Sequence, residues 1–192
     1  MNVKQGTIVI FTGDGKGKTT AALGLAVGAA ANRQRVMIVQ FLKGGGYTGE
    51  LFAASFLEPF LTIKQFGYGC PISAQIKSGE QVCNKCGLCF RENRKAANEF
   101  AAKALAAAAE VLADGMIDML VMDEISHALR HNLISKQTVL SLLLNRPKHI
   151  DIVLTGRNMP EELLAIADQV TFCQAVKHPM KQGIDARRGT EY

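Results

Sequence analysis

A glycine-rich segment between two apolar runs constrains the fold of this chain more than any other feature. Residues 12–20 read TGDGKGKTT; they follow a short β-branched run at 6–11 and overlap the start of an alanine- and leucine-rich run at 18–32. The first run is typical of a buried strand and the second of a helix. Where a glycine-rich loop joins a strand to a helix, the N–H groups of the loop and the N-terminus of the helix attract phosphate. Thr12 stands where the usual phosphate-loop pattern has glycine, but the position after a strand still predicts nucleotide binding.

Strands and helices are predicted to alternate along the whole chain. Continuously apolar strands that alternate with helices are typical of a parallel sheet covered on both faces. We therefore predict an α/β fold: one domain over 1–192, with a mostly parallel sheet flanked by helices, of P-loop NTPase (RecA-like) type. Ser135 is expected to cap one helix and Gly115 to end another. The further strands are predicted at 35–41, 61–66, 117–123, 150–155 and 169–173, and the further helices at 49–57, 91–113, 135–144 and 160–167.

Composition excludes several classes of protein. The longest apolar run, at 21–31, is shorter than the ~20 residues of a membrane span, and residues 1–5 contain no apolar segment of a secretory signal. We therefore expect a cytoplasmic protein that is not inserted in a membrane. The net charge of +5 suits an anionic ligand. It does not favour nucleic acid, because the basic residues near the cysteines are not interleaved with aromatic ones.

Charged residues follow two of the predicted strands. Asp123 and Glu124 come after the strand at 117–123, and Arg157 comes two residues after the strand at 150–155. Carboxylates at the carboxyl edge of a parallel sheet can hold Mg²⁺, and an arginine there can bind phosphate. The acids could instead cap the next helix, and the arginine could form a surface ion pair.

Four of the five cysteines are clustered. Cys70, Cys83, Cys86 and Cys89 have the spacing C-x₁₂-C-x₂-C-x₂-C, whereas Cys173 ends an apolar run and is expected to be a buried thiol. In a reducing compartment such a cluster favours metal over disulfides. The spacing is closer to an iron–sulfur arrangement than to the paired C-x₂-C motifs of zinc ribbons. An iron–sulfur cluster, a structural zinc and an unmetallated segment remain open. The segment at 67–90 is predicted to be an insertion that carries this metal site.

Several stretches together resemble the P-loop corrinoid adenosyltransferases (ATP:cob(I)alamin adenosyltransferases). They are GDGKGKTT at 13–20, VQFLKG at 39–44 with Gly49 and Glu50, VMDE at 121–124, NRPKHIDIVLTGR at 145–157, residues 167–168, and the basic tail at 174–192, where 176–192 reads VKHPMKQGIDARRGTEY.

This resemblance implies transfer of the 5′-deoxyadenosyl group of ATP to the cobalt of a reduced corrinoid, with release of triphosphate. ATP is expected to bind in reverse, so that the ribose C5′ and not the γ-phosphorus faces the second substrate. It also implies a homodimer and an electron donor such as a flavoprotein or ferredoxin. By match, Lys18 and Glu124 are the catalytic candidates, and Thr19, Asp123 and Glu124 are the Mg²⁺ candidates. The nucleotide-binding candidates are Gly13, Asp14, Gly15, Lys16, Gly17, Lys18, Thr19, Thr20 and Arg157, and the corrinoid-binding candidates are Gln40, Lys43, Glu50, Tyr68 and Cys70.

The chain departs from the family pattern after the third predicted strand. Family members usually carry a Phe and a Trp there, under the corrin, but this chain has no Trp; Tyr68 falls at the Phe position and Cys70 at the Trp position. One hypothesis is that the cysteine cluster lies below the corrin and passes an electron to cobalt(II). Two other functions stay open: a P-loop ATPase or kinase, and a non-catalytic corrinoid-binding or redox-sensing protein. His127 and His131 are interpreted as surface or packing residues.

Overall fold

The computed structural model describes residues 5–44, 49–68 and 93–177, together with positions 75, 78 and 80. Four of the cysteines and the tail from residue 178 lie outside these residues, so the predictions made for them are not addressed by the fold. The strands are β1 Ile8–Thr12, β2 Val36–Phe41, β3 Leu61–Phe66, β4 Met119–Asp123, β5 Asp151–Thr155 and β6 Gln169–Phe172. The helices are α1 Lys18–Ala31, α2 Gly49–Ser55, α3 Arg94–Asp114, α4 Ile125–Arg130, α5 Lys136–Leu144 and α6 Glu161–Ala165.

The six strands form one sheet in the order β3-β2-β4-β5-β1-β6, and every neighbouring pair is parallel. This confirms the predicted parallel α/β architecture. β1, β5 and β4 are adjacent, so the residues that follow them meet at one edge of the sheet. The phosphate-loop candidate, Arg157 and the acidic pair are thereby brought to the same place.

Alanine-rich helices cover the two faces of the sheet at close range. On one face, α3 buries Ala97, Ala101, Ala104 and Ala108, each at most 1% exposed, against β2 and β4. On the other face, α1 packs through alanines against the opposite sides of the same strands. Because alanine ends at Cβ, these helices approach the sheet closely, and a larger side chain there would cost about 1–3 kcal/mol in overpacking.

Local capping residues set several of the helix ends. Ser135 accepts a hydrogen bond from the N–H of Thr138 at 3.4 Å, and Gly115 has a left-handed φ of 66°, so both predicted caps are confirmed. Pro160 precedes α6 as its N-cap residue instead of opening the helix. β4 begins at Met119, two residues later than predicted; Asp118 lies directly before it, and its carboxylate accepts the N–H of Arg35 at 2.8 Å.

Within the described residues, we find no helix with the length and apolar character needed to cross a bilayer.

Candidate functional site

The loop after β1 is held in shape by the end of the sheet's edge strand. Gly13 and Gly17 have φ values of 103° and 105°, which glycine adopts without strain. The N–H of Gly15 donates a 2.7 Å hydrogen bond to the carbonyl oxygen of Cys173, and the N–H of Cys173 donates to Thr12. A Cβ on Gly15 would lie 2.7 Å from that carbonyl oxygen. The Cys173 backbone therefore fixes the loop, and its side chain is only partly buried, so the expectation of a buried thiol is wrong.

The lysine of the loop is turned back onto the loop's own carbonyl groups. The Nζ of Lys18 donates to Gly13 O at 2.7 Å and to Gly15 O at 2.6 Å, and the residue is 6% exposed. Burial lowers the pKa of Lys18, and the nearby Glu124 carboxylate opposes this effect. Gly17 caps α1 without a side-chain hydrogen bond, so the first N–H groups of the helix have no side-chain partner at the N-cap.

Asp123 is the centre of a buried polar network at the end of β4. It is 1% exposed. Its Oδ1 accepts hydrogen bonds from Thr19 Oγ1 at 2.8 Å and from Thr155 Oγ1 at 2.6 Å. Its Oδ2 accepts from Gln40 Nε2 at 3.0 Å and from Lys43 Nζ at 3.3 Å. Four protein donors thus hold this carboxylate, and it joins the start of α1 to the carboxyl ends of β2 and β5.

The candidates Gln40, Lys43 and Glu50 are brought together on the β2 side of Asp123. Lys43 Nζ and Gln40 Nε2 both donate to Glu50 Oε1, at 3.1 and 3.2 Å, while Gln65 donates to Gln40 Oε1 at 2.7 Å. Burial alone would lower the pKa of Lys43, but Asp123 and Glu50 outweigh it and the pKa is raised. Burial alone would raise the pKa of Glu50, but Lys43 and the hydrogen bonds outweigh it and the pKa is lowered.

Glu124 lies at a strained turn between β4 and α4. Its φ of 59° is unusual for a residue other than glycine, and its N–H donates to Thr155 Oγ1 at 2.9 Å. In the described part of the chain its carboxylate accepts no hydrogen bond. Burial and the neighbouring Asp123 charge raise the pKa of Glu124. A carboxylate in this position is suited to a cation that approaches from the cleft.

A cleft of about 800 Å³ opens over these residues. Asp14 and Gly13 are not among its lining residues, whereas Arg157 is. The loop that carries Arg157 is tied to α4, because Ser126 Oγ donates to Arg157 O at 2.7 Å. Ser126, His127 and Arg130 were not among the sequence candidates; they lie on the short helix after the acidic pair, and their spacing does not mark them as cleft residues. The lining residues are Gly15, Lys16, Gly17, Lys18, Thr19, Thr20, Glu124, Ser126, His127, Arg130 and Arg157.

Comparison with known proteins supports both the fold and the family. The flagellar accessory protein FlaH from Methanocaldococcus jannaschii has a similar structure, with a TM-score of 0.51 at 15% identity over 88% of this chain and 72% of that chain, a likeness of fold alone. The profile of the family described as ATP:corrinoid adenosyltransferase BtuR/CobO/CobP matches residues 4–192. The chain belongs to the ATP:corrinoid adenosyltransferase family. Its activity is the ATP-dependent transfer of an adenosyl group to a corrinoid.

Curated relatives of this adenosyltransferase match over nearly the whole chain. Corrinoid adenosyltransferase CobA from Salmonella typhimurium is 32% identical over 190 residues, which are 98% of this chain and 87% of the relative. The corrinoid adenosyltransferase from Sinorhizobium sp is 35% identical over 191 residues, covering 98% of this chain and 81% of the relative. The Escherichia coli K12 corrinoid adenosyltransferase is 31% identical, with coverages of 98% and 87%.

The segment in which this adenosyltransferase departs from its family is described only at its start. Tyr68 packs edge-on against Phe100 of α3, with ring centroids 5.0 Å apart at 74°. Cys70, Cys83, Cys86 and Cys89 lie outside the described residues. Among the residues that are described, no group of three or more His, Cys, Asp or Glu side chains is arranged to hold a metal ion.

Proposed function

We propose that this adenosyltransferase acts on cob(I)alamin or a related reduced corrinoid and releases inorganic triphosphate. The cobalt(I) electron pair attacks the ribose C5′ of ATP, a Co–C bond forms, and the C5′–O bond breaks. The triphosphate leaves with the electrons of that bond. The family match over residues 4–192 is the observation that carries this proposal, and the cleft agrees with it because its lining is rich in phosphate-binding groups.

The cations of the cleft suit a leaving group that carries the whole triphosphate. Lys16, Lys18 and Arg157 line the cleft with the N-terminal turn of α1. Charge develops on the triphosphate as the C5′–O bond breaks, and the cations and N–H dipoles of the cleft stabilise it. We propose that ATP binds with its phosphates against this loop and its ribose directed away from it, toward the corrinoid.

The oxygen donors at the cleft fit Mg²⁺. Thr19 and Glu124 both line the cleft, and hard oxygen ligands of this kind are the ones that Mg²⁺ takes. Asp123 already accepts four hydrogen bonds. This favours a role behind Thr19 and Glu124, in which Asp123 holds the Thr19 hydroxyl in place. When bound, the cation would neutralise phosphate charge, and its own charge would offset the repulsion between Glu124 and Asp123.

We assign Gln40 a positioning role. Because it is 1% exposed and hydrogen-bonded to Asp123, Glu50 and Gln65, it orients the acidic network. Lys43 and Glu50 are more exposed, with 33% and 17% of their side chains accessible, and remain candidates for contact with the corrinoid or ribose, as do Tyr68 and Cys70.

The four-cysteine segment is proposed to bind an iron–sulfur cluster or zinc, within a single domain that spans the chain. This part of the proposal rests on the spacing of the cysteines. Metal analysis after anaerobic purification tests it: stoichiometric zinc without iron or charge-transfer absorption would eliminate the cluster and its role in reducing cobalt. From the sequence we also propose a homodimer, a flavoprotein or ferredoxin electron donor, and a cytoplasmic location.

The reaction is tested by incubating the full chain with cob(II)alamin, ATP, Mg²⁺ and a strong reductant. We expect a light-sensitive alkylcobalt absorption spectrum together with one triphosphate per corrinoid. ADP and phosphate without alkylcobalt product would indicate a P-loop ATPase or kinase. Tight corrinoid binding without product would indicate a carrier or sensor.

A further inference from the structure

The short helix α4 presents one face to the core and the other to the nucleotide cleft. Ile125 and Ala128 are fully buried and Leu129 is 6% exposed, whereas Arg130 reaches the cleft from the last turn. The helix follows directly on Glu124, whose left-handed φ forms the turn between β4 and α4. The position of Arg130 is therefore set by the same turn that carries the acidic pair.

The helix is also fixed to the loop that carries Arg157. Ser126 Oγ donates to the Arg157 carbonyl oxygen, and a Cβ on Gly156 would lie 2.0 Å from Ser126 Oγ. α4 and the Arg157 loop are therefore in close contact, and a side chain at position 156 would not fit between them. Arg130 and Arg157 thus approach the cleft from two connected walls.

The side chains that line the cleft carry a net positive charge, and Arg130 contributes to it. The lining residues include four cationic side chains, those of Lys16, Lys18, Arg130 and Arg157, and one carboxylate, that of Glu124. Across the described ranges, the Arg130 guanidinium forms no hydrogen bond or ion pair, and the residue is exposed. An arginine with this freedom at a cationic cleft is available for a bidentate contact with phosphate oxygens.

We propose that Arg130 is a phosphate-binding residue of this enzyme, which contacts the triphosphate chain from the α4 wall of the cleft. The inference rests on the proposed function, since a reaction that expels triphosphate needs cations along the whole chain and not at one phosphorus. Inorganic triphosphate carries more negative charge than the triphosphate of ATP, so Arg130 binds the product at least as strongly as the substrate.

Calorimetric titration of the full chain with sodium tripolyphosphate and, separately, with ATP, both with Mg²⁺, tests this assignment. We expect Arg130→Ala to weaken tripolyphosphate binding by about tenfold, as for loss of one charge-assisted hydrogen-bonded contact. Arg130→Lys should recover part of the affinity, because it keeps the charge but not the fork of donors. Lys103→Ala, which removes an exposed cation on α3, should leave both affinities unchanged.

The outcomes separate this inference from the proposed reaction. Unchanged tripolyphosphate affinity in a folded Arg130→Ala variant, with the thermal midpoint of the wild type, overturns the inference even if the wild type is fully active. A loss confined to ATP also overturns it, since the arginine would then contact the nucleoside. If the wild type binds tripolyphosphate in an Arg130-dependent way but forms no alkylcobalt product, the inference stands and the proposed function fails.

Discussion

Thr19 Oγ1 donates a 2.8 Å hydrogen bond to Asp123 Oδ1, which joins the first turn of α1 to the end of β4 across 104 positions of sequence. The hydroxyl hydrogen is directed to Asp123, so the oxygen lone pairs of Thr19 remain for a cation in the cleft. Asp123 itself is held by three further donors and does not depend on Thr19 for its position.

We expect Thr19→Val to lower kcat/KM for adenosyl transfer by at least about 10- to 100-fold, since that is the loss for a partner of a metal ligand and Thr19 is proposed as a ligand itself. Thr19→Ser should retain most of the activity, because it keeps the hydroxyl. Steady-state rates at several Mg²⁺ concentrations provide the measurement. In a double-mutant cycle with Asp123→Asn the two losses should be less than multiplicative, since the residues act as one unit; fully multiplicative losses would show that they act separately.

Glu124→Gln should raise the melting temperature of the protein and lower its rate of adenosyl transfer. Its raised pKa, caused by burial and by Asp123, means that the charged form is disfavoured in the folded protein. This penalty is present above the folded-state pKa and absent below about pH 4, where the carboxyl is protonated in the unfolded chain too. In EDTA at pH 7.5 the variant should therefore melt higher than the wild type, by on the order of 2 °C, while its adenosyl transfer in Mg²⁺ falls about 10- to 100-fold.

Melting curves at pH 7.5 and pH 4 check the sign of the Glu124 effect. The rise in melting temperature of Glu124→Gln over the wild type should be smaller at pH 4 than at pH 7.5. A variant that is equally destabilised at both values would mean that the carboxylate is bonded in the folded state and that its burial is compensated.

Gly15→Ala should damage the phosphate loop through contact with the edge of the sheet. The new Cβ would lie 2.7 Å from the Cys173 carbonyl oxygen, so either the loop or the end of β6 must shift. We expect a loss of about 1–3 kcal/mol in the free energy of unfolding and weaker ATP binding. Gly24→Ala is the matched control, because a Cβ there meets nothing within 4 Å and alanine favours a helix by about 0.5–1 kcal/mol. Equal stability of the two variants in urea would contradict the contact.

Lys43→Met should lower the free energy of unfolding by more than the loss of a surface lysine does. It leaves the Asp123 and Glu50 carboxylates without their shared cation, and since Lys43 is 33% exposed we expect a loss of about 1–2 kcal/mol, less than for a fully buried pair. Lys136→Met removes the exposed ion pair with Glu162 and should cost about 0–1 kcal/mol. Denaturant unfolding of both variants measures the contrast.

The pH dependence of the Lys43 effect follows from the raised pKa of Lys43 and the lowered pKa of Glu50. The contribution of Lys43 is fully present below its unfolded-state pKa and is lost as the pH rises above about 10. That of Glu50 is present above its unfolded-state pKa and is lost as the pH falls below about 4. The difference between wild type and Lys43→Met should thus be constant from pH 6 to 8, and a change of several-fold within that window would refute the assignment.

The sequence predicted the features that depend on local pattern. The glycines after an apolar strand and the Ser135 and Gly115 caps each act within a few residues of chain, so they can be predicted from local sequence spacing. The family resemblance, carried by short motifs, is confirmed by the match over residues 4–192.

Tertiary structure alone decided how these pieces meet. Three relationships join residues that are distant in sequence. The Cys173 carbonyl fixes Gly15, four donors converge on Asp123, and Arg130 lines the same cleft as the glycine-rich loop. Each depends on the strand order, which places β6 beside β1 and β5 between β1 and β4. A residue's own neighbours in sequence set its conformation, but its partners across the sheet are set by the packing of the whole chain, and that packing has no local signature.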